Sequence, residues 1–132
     1  MYRLTVIPSV GGPFMIRVSK IFKDSSLKLV YRKLSGFKNR EDIRIDLVHT
    51  LDSIEYPQAL DSLSILLDNL NFWELDNDWE CDGADGDIYV LEGLKNGRYH
   101  LICRWSPEVC TLSESQYMID LIKYLEGLKR VR

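Results

Sequence analysis

Hydrophobic and polar residues alternate through the first third of the chain, and that period of two predicts strands. Tyr2, Leu4 and Val6 share one face of a first run. Beyond the Gly11-Gly12-Pro13 break, Phe14, Ile16 and Val18 alternate with Met15, Arg17 and Ser19. Asp24-Ser25 reads as a turn, and Leu27, Leu29 and Tyr31 then alternate with Lys28, Val30 and Arg32. After Ser35-Gly36 a fourth run sets Ile43, Ile45 and Leu47 against Asp42, Arg44 and Asp46.

The period then lengthens. Between Pro57 and Leu70 the apolar positions are Leu60, Leu63, Leu66, Leu67 and Leu70, the three-and-four spacing of an amphipathic helix. Pro57 suits its first turn, where the missing N–H costs nothing. A second hairpin, Ile88–Gly93 and Arg98–Trp105, is expected to turn at Lys95-Asn96-Gly97. A last helix is marked by Tyr117, Leu121, Ile122, Leu125 and Leu128, with Ser113 and Gln116 as a capping box. The whole predicts one α+β domain over residues 1–132. Its antiparallel sheet has about six strands, a four-strand N-terminal meander plus the later hairpin, with two helices packed on one face.

Composition adds limits. No apolar stretch reaches the 18 or so residues of a membrane span, and the N-terminal run lacks the long core of a signal peptide. Cys81, Cys103 and Cys110 are odd in number and contain no CxxC pair, so free thiols in a reducing cytoplasm are expected, with no metal and no cofactor. Charge changes the picture more. Residues 1–40 hold nine Lys/Arg against Asp24, a balance of +8; residues 41–92 hold fifteen Asp/Glu against Arg44, a balance of −14. Basic strands beside acidic loops neutralise one another through weak surface pairs; alternatively, a two-signed surface steers a charged partner. The basic run lacks the interleaved aromatics of a stacking platform and the chain is acidic overall, which argues against nucleic acid.

Within the acidic block, Asp78, Glu80, Asp82 and Gly83 match positions 1, 3, 5 and 6 of a calcium loop. Position 12, which needs a bidentate Glu, is Tyr89, so calcium is rejected. Glu74, Asp76, Asp78, Glu80, Asp82, Asp85 and Asp87 are therefore read as an acidic patch facing a partner.

The second hairpin carries the remaining chemistry. A two-residue Asn96-Gly97 loop would place Glu92 on the face of Tyr99, Leu101, Cys103 and Trp105, burying a carboxylate with no partner. A three-residue loop moves Tyr89 and Leu91 onto that apolar face and sets Glu92 against His100 and Ile88 against Arg104. The second register is the one expected. Glu92, His100 and Arg104 then define a candidate cleft, in which the carboxylate would raise the imidazole pKa. No nucleophile, metal or oxyanion hole accompanies them.

Asn71-Phe72-Trp73, Gly83-Ala84-Asp85-Gly86-Asp87-Ile88-Tyr89-Val90-Leu91-Glu92-Gly93, Gly97-Arg98-Tyr99-His100 and Arg104-Trp105-Ser106-Pro107 together resemble a group of small, uncharacterised bacterial proteins. Their pattern runs FW, DGxx(W/Y)xLEG, G(R/K)YH, RWSP and a leucine-rich C-terminal helix. The likeness covers about residues 60–130 and leaves the basic N-terminal third outside it. Tyr89 stands where Trp is usual. The resemblance implies a bacterial origin and brings no activity with it. The function expected is that of a small cytoplasmic protein-binding protein, an immunity protein or inhibitor, offering an acidic surface to a partner protein with a basic surface. The alternative is a small enzyme or ligand-binding domain using Glu92, His100 and Arg104.

Overall fold

A computed structural model describes residues 1–20, 27–34, 47–52, 59–77, 81, 83, 85–110 and 112–128. The elements are β1 (Tyr2–Ile7), β2 (Phe14–Lys20), β3 (Leu27–Leu34), β4 (Leu47–Asp52), α1 (Ala59–Leu70), β5 (Ile88–Lys95), β6 (Arg98–Trp105) and α2 (Ser115–Leu128), with one 3-10 turn at Phe72–Glu74. The fold is α+β, an open antiparallel sheet with two helices. Its strands lie in the order β4-β3-β2-β1-β5-β6, so β1 joins the N-terminal meander to the later hairpin. Of the fourth alternating run only Leu47 falls within the described residues, at the start of β4; positions 42–46 lie outside them, as does Pro57.

One apolar row crosses the sheet. Register places Tyr31 beside Ile16, Ile16 beside Leu4, Leu4 beside Leu91 and Leu91 beside Ile102. These residues share a buried cluster with Leu63, Leu67 and Leu70 of α1 and Met118, Leu121, Ile122, Leu125 and Leu128 of α2. Both helices thus cover the same face. Two details of α2 differ from expectation. Met118 takes a core position and Tyr117 is exposed, whereas Leu121, Ile122, Leu125 and Leu128 are buried as their spacing predicts. The Ser113–Gln116 box is not formed: the helix starts at Ser115, and Gln116 donates to Asp120 at 2.9 Å.

The hairpin register is the main correction. Asn96 and Gly97 both adopt left-handed φ, 51° and 74°, and Lys95 pairs with Arg98 around a two-residue loop. This primed turn matches the strands' right-handed twist. Glu92 consequently pairs with Leu101, and His100 with Gly93. The apolar face expected of this hairpin is therefore split: Leu91 enters the core with Ile102, whereas Tyr99, Leu101, Cys103 and Trp105 lie on the face away from the helices. The cost that seemed to forbid this register is removed by Arg3. From the neighbouring strand β1 its Nε and Nη2 donate to the Glu92 carboxylate at 2.5 and 2.6 Å, and Tyr99 Oη donates at 2.8 Å.

Gly93 belongs to the same arrangement. It sits on the helix-facing side, where a Cβ would lie 2.6 Å from the Phe72 ring and 2.9 Å from that of Tyr2. Only hydrogen fits beneath those two aromatics.

Candidate functional site

The acidic connection between α1 and β5 is the feature with the most deliberate support. It starts at Asn71, whose left-handed φ of 57° ends α1 and drops Phe72 into the core, fully buried. Phe72 stacks edge-on against Trp73 and His100, with ring centroids 5.1 Å away in each case. The next four residues run alongside the helix-facing side of β6, and β6 grips them by their backbone. Arg98 Nη2 donates to the Trp73 carbonyl at 3.0 Å, His100 Nε2 to the Leu75 carbonyl at 2.9 Å and Arg104 Nη2 to the Asp76 carbonyl at 2.9 Å. A carbonyl only accepts, so His100 carries its proton on Nε2.

The far end of the connection is tied as well. Gly83 and Gly86 lie against the Trp105 indole with no room for a Cβ. Asp87 accepts from the Ser9 N–H at 3.0 Å, while its own N–H donates to Ser106 Oγ at 2.9 Å and its carbonyl accepts from Ser106 N at 2.8 Å. Between these ends Cys81 is joined to Cys110 by a disulfide. The expectation of three free thiols is therefore overturned; of the three cysteines only Cys103 is free. The bonded pair are 29 positions apart, and the β5–β6 hairpin together with the clamped connection brings them within reach, with Cα atoms 6.2 Å apart.

The predicted acidic residues separate into three groups. Glu74, Asp76 and Asp85 are exposed, Glu74 standing 3.5 Å from the equally exposed Arg98. Asp87 is half-buried and committed to Ser9. Asp78, Glu80 and Asp82 lie outside the described residues. Among the described residues, no group of three or more His, Cys, Asp and Glu could hold a metal ion.

The alternative trio is not brought together. His100 and Arg104 face the helix side, where Arg104 also meets Glu114 at 3.4 Å, whereas Glu92 is on the opposite face with Arg3. The Arg3 guanidinium, aided by the Tyr99 hydroxyl, holds the Glu92 carboxyl below its ordinary value against an opposing effect of burial. An open hollow of about 420 Å³ is lined by Trp73, Lys95, Asn96 and Arg98 and includes none of the trio. A second space, of about 10 Å³, lies among Cys81, Arg104, Trp105, Cys110, Glu114 and Met118, and is no larger than one water.

Sequence reasoning missed Arg3, the three carbonyl clamps and the disulfide. The basic residues at alternate positions 98 and 100, and again at 104, were the available signal for the clamps. No protein-family model, curated protein or solved structure matches this chain. No helix among the described residues is long and apolar enough to cross a membrane.

Proposed function

We propose that this chain is a protein-binding domain, of the immunity-protein or inhibitor kind, that presents the acidic 74–87 connection to a basic partner protein. One observation carries the reading: β6 uses the donors of Arg98, His100 and Arg104 on the backbone carbonyls of residues 73, 75 and 76, so residues 73–76 are held while Glu74, Asp76 and Asp85 stay exposed. A segment ordered before binding loses less entropy when its partner arrives. Exposed like charges held together also steer an oppositely charged protein during encounter. The enzyme alternative lacks such support, because Glu92 lies across the sheet from His100 and Arg104.

The test begins with capture of a binding protein from native lysate, followed by association kinetics with that purified partner. Association should slow steeply as salt rises, since exposed charges are screened within about 8–10 Å at physiological ionic strength. The variant Glu74→Gln/Asp76→Asn/Asp85→Asn should associate about ten-fold more slowly or worse, with an unchanged fold. Equal rates and equal salt dependence for variant and parent would refute the proposal.

A further inference from the structure

The geometry points to the Cys81–Cys110 disulfide as a reversible thiol–disulfide exchange site that latches the acidic connection, so that oxidation favours partner binding and reduction weakens it. This rests on the reading of the 74–87 connection as the binding surface and adds its regulation.

The two sulfurs are unequally placed. Cys81 is half-buried in the connection, whereas Cys110 is 6% exposed and fixed in the turn after β6, its N–H bonded to the Ser106 carbonyl. An incoming thiolate therefore reaches Cys81 first. Arg104 and Glu114, paired at 3.4 Å, line the same small space as both cysteines; the guanidinium charge favours a departing Cys110 thiolate and the Glu114 carboxylate opposes it in part. With a dithiol reductant of the thioredoxin class, one thiolate bonds to Cys81 Sγ. The Cys81–Cys110 bond then breaks, and its electron pair leaves on Cys110 Sγ, which takes up the reductant's proton. The reductant's second thiol displaces Cys81 as a thiol and closes its own disulfide. Two electrons and two protons pass to the protein; glutathione disulfide reverses the balance and leaves as two glutathione thiols.

The consequence follows from where Cys81 sits. Without the bond, the described anchors are Asp76 on Arg104, Gly83 and Gly86 against Trp105, and Asp87 on Ser9 and Ser106, and the covalent tie at residue 81 is gone. The strands β1 and β5 carry none of this bond's support, because their pairing and the Leu4–Leu91 row lie elsewhere in the sheet. Opening the latch is thus a local event.

Three measurements on the full chain test this. First, after equilibration in glutathione buffers of graded composition, alkylation in denaturant and peptide mass spectrometry should show Cys81 and Cys110 changing together, with Cys103 a thiol throughout. Thiols at 81 and 110 in excess glutathione disulfide, or a bond to Cys103, would overturn the latch. Second, hydrogen exchange at the Ser9 and Asp87 amides should quicken on reduction while β1–β5 amides stay protected; loss of both together would make the bond a global staple and overturn the latch. Third, a decalysine peptide serves as a basic probe. It should bind the oxidised chain about ten-fold more tightly than the reduced chain, the equivalent of ordering one or two further side chains, and Cys81→Ser should match the reduced chain without reductant. Equal binding to both states would overturn the latch and leave the surface reading standing. Binding to neither state would refute the acidic-surface reading itself and the regulation built on it, whatever the first two measurements return.

Discussion

Replacing Arg3 with Met removes the partner that lets Glu92 sit within the sheet, and the cost should depend on pH in one direction only. Glu92 is 9% exposed and accepts three hydrogen bonds, two from Arg3 and one from Tyr99. The substitution leaves only the Tyr99 bond. Breaking a fully buried ion pair costs about 3–5 kcal/mol. The Arg3 side chain is 42% exposed, so solvent screens part of the attraction and a loss of about 2–3 kcal/mol is expected at pH 7. In the parent, Arg3 lowers the Glu92 pKa, so its stabilisation is present above the ordinary value of 4.5 and disappears as pH falls through the folded value. In Arg3→Met the opposing effect of burial prevails and the carboxyl protonates more readily. The difference between parent and variant should therefore be smaller near pH 3.5 than at pH 7, because the stabilisation fades as pH falls toward the parent's lowered folded value.

Urea unfolding of both proteins at the two pH values gives the comparison, and other carboxylates cancel between them. Arg3→Met/Glu92→Leu supplies the control, because replacing both partners of a buried pair by apolar groups is often close to neutral. A penalty that stays constant with pH, or a double variant as unstable as the single one, would refute the argument.

Gly93→Ala should lose about 1–3 kcal/mol in the same assay, the usual cost of overpacking, since Phe72 is fully buried and cannot yield to the new methyl. Parent-like stability would show that the Phe72–Tyr2 contact is looser than described. Leu67→Ala should cost about 2–5 kcal/mol from transfer and cavity terms, and a loss under about half a kcal/mol would place Leu67 outside the core.

Local periodicity made β1, β2, both helical stripes and the second hairpin legible, because each depends on neighbours within a few positions. Tyr2, Leu4 and Val6 face the helices for the reason their alternation gives. For the fourth run, alternation reaches the described residues only at Leu47, and the extension of β4 to Asp52 comes from its pairing with β3, which is irregular near Lys33 and Leu34. The hairpin shows the same limit more sharply. Asn-Gly is the strongest short-range signal for a two-residue turn. Against it stands Glu92, whose partner is not visible in the local sequence. Arg3 is 89 positions away, and nothing short of the β1–β5 pairing connects them. The bond between Cys81 and Cys110 was hidden for a like reason, with an entire hairpin inside its loop.

Charge was the other half-legible feature, and its physical reading changes once the backbone is included. As sequence, a +8 block followed by a −14 block suggests mutual neutralisation between side chains. In the fold, Arg98, His100 and Arg104 direct their donors to the carbonyls of Trp73, Leu75 and Asp76. The only carboxylate close to Arg98 is Glu74 at 3.5 Å among the described residues, with both side chains more than half exposed, a geometry worth little in water. A cation spent on a carbonyl fixes the chain's path and leaves the neighbouring carboxylate hydrated and unpaired. Side-chain pairing would have produced the opposite, a neutral surface over a loosely held backbone. The observed arrangement leaves the Asp76 side chain exposed while Arg104 holds its carbonyl, the combination that the proposed charge-steered docking surface would use.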